Sequence, residues 1–309
     1  MNTHQTIDAF KSAMLEHGKE PPKSITADGA IHRFHIVGHK PGSQNGAYKL
    51  HLDGAKPAGY FENFVSGIKT TWKAEGKAKI TQADRQQIKS AQNQRLQEQQ
   101  QRHENAAQAA QRLINIAKPV IGNNHPYLQR KRVDSHGLYH LKTWSKRIKN
   151  NEGQWESLVI KDVLLVTLID ITGKLWNLQA IFPQAVAQLG RDKDFLSGGK
   201  LGGVFYAIGK ATDEIIICEG YATGASLHTA TGFMVLCAMS AGNLEPVAKA
   251  VRAADQNKKL FIAADNDEKT RGNPGLTAAK KAAQAVGGFL AVPPIAGDFN
   301  DYANIGTAL

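Results

Sequence analysis

The spacing of apolar and polar positions changes several times along the chain, and each change predicts a different kind of element. Residues 1–22 place Ile7, Phe10, Met14 and Leu15 near a 3.6-residue repeat, which predicts a short amphipathic helix. From 28 to 75 the period falls to two. "IHRFHIVG" alternates, and "GAYKLHLDG" and "AGYFENFVSG" follow between Gly, Pro and Asn, so a small β-rich module is expected. Residues 81–115 lose the apolar stripe: Gln dominates, and Gly and Pro are absent. That composition predicts a long solvated helix acting as a connector. A coiled coil is the alternative, without a sustained a/d seam to support it. From 158 strands return in "SLVIKDVLLVTLID" and "LWNLQAIFP", joined by the turn "ITGK", which reads as a hairpin. From 214 apolar runs alternate with helical stretches: strands at 214–218, 233–238, 259–264 and 288–292, helices at 222–231, 244–256 and 274–286. This alternation predicts an α/β unit with a mostly parallel sheet and helices on both faces.

Composition narrows the class. The chain has 309 residues and 42% hydrophobic ones, enough for a substantial core in one to three domains. There is no apolar run long enough to span a membrane and no basic-then-apolar leader at the start, so neither a membrane protein nor a secreted one is expected. Cys218 and Cys237 both sit in apolar strand-like runs, where thiols behave as small hydrophobes. A disulfide framework and a cysteine zinc site are thereby disfavoured, and a cytoplasmic setting is expected.

Charge is unevenly placed. The net charge is +11, with +13 in residues 1–150 and −2 in residues 151–309. A basic front half points to a polyanionic partner, against the plainer reading of a merely soluble basic protein. Arg130, Lys131 and Arg132 form one basic knot, and Lys146, Arg147 and Lys149 another; each is either a set of phosphate contacts or a solvated charge run. In the β-rich module, Tyr48, Tyr60, Phe61, Phe64 and Trp72 interleave with Lys and His. These rings either stack the bases of a single strand or form the module's own core, and both readings stand at this point.

The chemistry lies at the carboxyl ends of the later strands, the edge where ligands bind in such sheets. Glu219 follows the first strand, Asp265 and Asp267 the third, and Asp298 and Asp301 the fourth. Like charges that close are unfavourable unless a cation sits among them, and an all-oxygen set favours Mg²⁺ or Mn²⁺. Taken singly, each acid reads equally well as a helix cap or turn former. Gly220, Thr223 and Gly224 permit a tight turn with exposed N–H groups, suited to a phosphate. The Gly-rich "KDFLSGGKLGGVFYAIG" supplies Lys193 and Lys200 as candidate phosphate neutralisers.

Strand-Glu-Gly followed by strand-Asp-x-Asp on an alternating α/β unit resembles the Toprim domain of bacterial primases, topoisomerases and some nucleases. Upstream, "YLQRKRVDSHGL" is similar to the Tyr-Leu-x-x-Arg-Gly segment of the DnaG-type primase core. The 158–209 stretch resembles that core's basic subdomain, and "GDFNDYA" the element closing the Toprim unit, with Gly297 where lysine often stands. The resemblance covers residues of about 118–302 and is best to primases of plasmids, prophages and mobile elements. Together with the patterning upstream it gives four parts: a β-rich module at 1–80, the candidate template holder, and a helical connector at 81–116, both read from the residues, then a basic mixed α+β subdomain at 117–212 and a Rossmann-like Toprim domain at 213–309, both implied by the resemblance. It implies a DNA primase making short RNA primers on single-stranded DNA from ribonucleoside triphosphates. Two or more Mg²⁺ or Mn²⁺ ions would be held by Asp265, Asp267, Asp298, Asp301 and Glu219, the last also serving as base. Lys193, Lys200, Gly220 and Thr223 would meet the nucleotide, and Arg130, Lys131, Arg132, Lys146, Arg147, Tyr48 and Trp72 the nucleic acid. No zinc ribbon and no helicase motif accompany these segments, which implies a free-standing primase or one working with a separate helicase. The alternatives are a Toprim-type nuclease, which would use the same acids with water as attacker, and a non-catalytic single-strand binder.

Overall fold

The computed structural model describes residues 2–38, 44–52, 56–63, 68–74, 81–150, 153–270 and 272–305. The chain divides into two compact units, Met1–Gln99 and Gln100–Leu309.

The first unit opens with α1 (Thr3–Glu16), started by a capping box in which Asn2 Oδ1 accepts from Gln5 N–H and the Gln5 side chain accepts from Asn2 N–H. It stops short of the predicted residue 22 because Gly18 turns the chain into the left-handed region at φ 67°. Strands β1 (His32–Phe34), β2 (Gly46–His51), β3 (Ala58–Asn63) and β4 (Ile68–Lys73) form an antiparallel meander in that order. Phe10 and Met14 of α1 pack with Phe34, Tyr48, Leu50 and Phe61 as its core. Tyr48 is buried there and its hydroxyl accepts from Thr26 N–H, so in this structure the ring is a core residue and offers no face to a base. Trp72 is half-buried with its ring edge-on to Phe10 at 5.3 Å. Phe64 lies outside the described residues.

Helix α2 (Gln82–Ile116) carries 35 residues. With so few apolar positions, it draws on side-chain pairs one turn apart: Gln94–Glu98, Gln100–Glu104, Gln101–Asn105 and Gln111–Asn115 are all hydrogen-bonded.

The second unit holds two five-stranded sheets. The antiparallel one runs in chain order through β5 (Lys118–Pro119), β6 (Tyr139–Lys149), β7 (Trp155–Ile169), β8 (Leu175–Val186) and β9 (Arg191–Phe195), with α3 (Pro126–Lys131) inserted after β5. The expected hairpin is β7–β8, turned at Asp170–Gly173. Strand β6 did not show in the apolar pattern, and the backbone explains why. Asp162 on β7, beside the β6 position of Lys142, takes φ 58°, and the buried pairs switch from Leu141/Val163 to Trp144/Ile160. A strand that changes its buried face midway has no continuous period of two.

The second sheet orders β10 (Tyr206–Ile208), β12 (Met234–Cys237), β11 (Glu214–Cys218), β13 (Lys259–Ala263) and β14 (Phe289–Ala291). All pairings are parallel except β10 with β12. Helix α4 (Tyr221–Thr231) packs on one face, and α5 (Leu244–Ala254) and α6 (Pro274–Val286) on the other, as the alternation predicts. Gly224 lets α4 lie against the strands: a Cβ there would stand 2.3 Å from Cys237 Sγ. Cys218 and Cys237 are buried free thiols paired across β11 and β12, consistent with their reading as small hydrophobes. A short helix α7 (Phe299–Ala303) follows β14. No helix among the described residues is long and apolar enough to cross a membrane.

Candidate active site

The parallel strands β11 and β13 end at Cys218 and Ala263, and the chain beyond each carries acids. Glu219 follows β11 directly. Its carboxylate accepts from the Ala241 backbone N–H, yet burial first, and then Asp267, hold it above the usual carboxylate range against the pull of Ala241 and Lys193.

Asp265 is more strongly perturbed. Burial, then the charges of Glu219, Asp298, Asp267 and Asp301, push it up to about 7. Its Oδ1 is buried and has no hydrogen-bond partner. A buried carboxylate oxygen without a donor, facing four other acids, is the environment a divalent cation would relieve. Among the described residues, no three acid, histidine or cysteine side chains converge closely enough to hold one ion as they stand.

The loop bearing Asp265 and Asp267 is fixed by residues that the acid pattern did not reveal. Asn266 exchanges backbone hydrogen bonds with Gly297 and donates its side chain to Ile295 O. Asn273, the N-cap of α6, accepts from Asp267 N–H and donates to Asn266 Oδ1. Gly275 N–H donates to Asp267 Oδ2 at 3.0 Å, and a Cβ on Gly275 would stand 2.6 Å from Asp265 O. "NPG" carried a local signal, since Asn followed by Pro is a helix start. Its role in fixing a loop eight residues upstream was not readable.

Asp298 and Asp301 serve α7 as well as the acidic edge. Asp298 is the N-cap, accepting from Asn300 and Asp301 N–H, and Asp301 returns the bond to Asp298 N–H. The capping alternative therefore holds for both, and the two still contribute charge to Asp265. Gly297 has φ 109°, and a Cβ there would stand 2.5 Å from Asp301 Oδ2, so the lysine often found at this place in the family would be strained here. Buried Asn300 ties α7 down, donating to Lys131 O at 2.8 Å and Ser226 Oγ at 3.0 Å.

Two cations approach the acids. Lys131 Nζ lies 3.9 Å from Asp301 Oδ1. Burial lowers the Lys193 ammonium against the opposing pull of Asp192, Asp298 and Glu219, with Lys131 adding to the lowering. Lys193 also stands over the Tyr127 ring at 5.6 Å. Arg130 flanks the same ring, donating to Pro183 O and Asp192. Arg132, standing where the resembled segment has glycine, closes α3 at φ 52°. Gly220 is the N-cap of α4 with no side-chain capping bond, and Thr223 is buried in the first turn. A Cβ at Gly220 would meet only Thr223 Oγ1, at 3.6 Å.

The remaining predicted residues lie elsewhere. Lys200 stands over Trp176, 4.7 Å from its ring centroid. Lys146 is spent on an ion pair with buried Asp194, which also binds Arg191, so its ammonium holds the sheet together. Arg147 packs on Trp155. Tyr48 and Trp72 belong to the first unit.

Residues 214–307 match the Toprim domain family. Two curated Escherichia coli proteins, each named DNA primase TraC, are 33% identical over 314 residues and 34% identical over 291. The alignments cover 96% and 89% of this chain but only 27% and 18% of those proteins. Among solved structures, the Aquifex aeolicus primase comprising zinc binding and RNA polymerase domains is similar over 96% of this chain and 81% of its own, at 12% identity and TM-score 0.42. Residues 214–307 thus match the Toprim domain family, in a chain similar over nearly its whole length to one segment of two proteins named DNA primase TraC.

Proposed function

We propose that this chain carries the nucleotidyl-transfer centre of a DNA primase, joining ribonucleotides on a single-stranded DNA template. The observation that carries the reading is Asp265: a partly buried carboxylate with an unpartnered oxygen, raised to about 7 among Glu219, Asp267, Asp298 and Asp301. The homology to proteins named DNA primase supports the reaction class.

Asp265 and Asp267 would hold a divalent cation, with Asp298 as a further ligand through the oxygen its cap leaves open. Mg²⁺ or Mn²⁺ fits the all-oxygen set, and zinc does not. When bound, the metal supplies charge stabilisation for the transferring phosphoryl group. The chain's own groups do the rest. Glu219, raised in pKa beside the acids, accepts the proton of the primer 3′-hydroxyl. Lys193 and Lys131 neutralise the triphosphate from the side of the antiparallel sheet, and the uncapped N-terminus of α4 offers backbone N–H groups to a phosphate oxygen. Asn300 and Gly275 are positioning residues, holding α7 and the Asp265–Asp267 loop in place. Ribonucleoside triphosphates are the substrates, a separate helicase is the candidate partner, and the setting is cytoplasmic.

The test incubates the full chain with single-stranded DNA, labelled ribonucleotides and Mg²⁺ or Mn²⁺, as wild type and Asp265→Ala. Short labelled oligonucleotides from the wild type alone are expected. Cleavage of the DNA without synthesis would replace the reading with a Toprim nuclease. Binding with neither outcome on several templates would replace it with a non-catalytic binder.

A further inference from the structure

Strands β6 and β7 project as a two-stranded ribbon whose faces differ sharply. Beyond the irregularity at Asp162, the register pairs Thr143 with Lys161, Ser145 with Val159, Arg147 with Ser157, and Lys149 with Trp155. Side chains at these alternating positions share one face. All eight residues are exposed, three are cations, and none is an acid. The opposite face carries Trp144, Lys146, Leu158 and Ile160, which turn inward on the core or pair with Asp194, and farther along Ile148 opposite the exposed Glu156.

Trp155 is 60% exposed, although burying an indole is strongly favourable. Arg147 and Lys149 each stand 5.3 Å from its ring centroid. Two cations that also suit phosphates thus stand over an exposed ring on a basic face. At the open edge of β6 lies a cleft of about 410 Å³, lined by Trp144, Ser145, Arg147, Trp155, Phe195 and Leu196 among others. The acid lining it, Asp194, is neutralised by Lys146 and Arg191. The wall residue Trp144 is buried, and its indole N–H has no hydrogen-bond partner.

We propose that this ribbon face binds single-stranded DNA, stacking a base on Trp155 with Arg147, Lys149 and Lys161 along the backbone. The occupant follows from chemistry: a surface with three cations, no acid and an exposed ring suits an anionic chain with free π-faces. A duplex hides those faces between its pairs, so the unpaired strand is the fit. The proposal rests on the primase reading for calling the strand a template, and it places strand holding on the β6–β7 ribbon, outside the acidic site.

The test measures binding of a labelled oligodeoxythymidine by fluorescence anisotropy across a salt series. The proteins are the full chain as wild type, Trp155→Ala, Trp155→Phe and the double variant Arg147→Ala/Lys149→Ala. Loss of one stacked base is expected to weaken Trp155→Ala roughly 5- to 150-fold. Trp155→Phe is expected to keep most of the affinity. The double variant is expected to lower the slope of log K on log salt by about 1.4, or 0.7 per phosphate contact on a single strand. Photocrosslinking of 5-iododeoxyuridine-substituted DNA is expected to mark Trp155. A wild type that does not bind the strand, a Trp155→Ala variant that binds like wild type, or a Trp155→Phe variant as weak as alanine overturns the proposal. A wild type that binds as described but makes no oligonucleotide removes the primase reading and leaves this one standing.

Discussion

Asp265 sets a definite expectation for the protein stripped of metal. In the unfolded chain its carboxyl titrates near 3.8, and in the fold burial and its acidic neighbours raise it to about 7. Below the lower value both states are protonated and the group has no effect on stability. Between the two, the unfolded chain gives up its proton and the fold does not, so stability falls as pH rises, and the loss is complete above about 7. A shift of about three units corresponds to on the order of 4 kcal/mol as an upper bound, reduced by solvent reaching the partly open carboxylate. Glu219, shifted the same way, acts in the same direction. The assay is thermal unfolding of EDTA-treated protein from about pH 5 to about pH 8, for wild type and Asp265→Asn. The wild-type Tm is expected to fall by up to roughly 10 °C over that range. Asp265→Asn is expected to be flatter and to melt above wild type at the alkaline end. Added Mg²⁺ is expected to raise the wild-type Tm there and to do much less for Asp265→Asn. A metal-free wild type as stable at the alkaline end as at the acid end, or an Asp265→Asn variant less stable than wild type there, would refute the view that this carboxylate is held in place at an electrostatic cost.

Three further expectations concern packing around the site. Gly224→Ala puts a methyl 2.3 Å from Cys237 Sγ and is expected to cost about 1–3 kcal/mol, with Cys237→Ala restoring part of the loss in a double-mutant cycle read by denaturant unfolding. Gly275→Ala drives a methyl into Asp265 O at 2.6 Å, where backbone cannot yield, so nucleotide incorporation is expected to fall at least tenfold while far-ultraviolet circular dichroism stays unchanged. Asn300→Ala removes the donor that Ser226 Oγ accepts from and leaves Lys131 O with Asn304 Nδ2 at 3.3 Å, and is expected to cost about 1–3 kcal/mol, with weaker Mg²⁺ binding by calorimetry because α7 carries Asp298.

Much of the parallel unit was legible because its elements obey local rules. The strand at 214–218 and the helix at 274–286 have the predicted limits, since an apolar run between polar ends and an Asn-Pro start followed by a closing glycine are signals within a few residues. The acids at the strand ends were legible for the same reason: in a parallel sheet, the residue after each strand falls on one edge whatever the details of packing. The sequence by itself therefore determined the α/β class, the candidate acids and the family likeness. Tertiary structure decided what each charge is for. Lys146 and Arg147 are neighbours in one basic knot, yet one is taken by buried Asp194 and the other stands beside exposed Trp155, because adjacent residues on a strand face opposite ways. Tyr48 reads equally as a base-stacking ring or as a core residue until α1 closes over the sheet and buries it. The raised pKa of Asp265 could not be read locally either: burial and four neighbouring carboxylates from different parts of the chain combine to produce it, and only the fold brings them together.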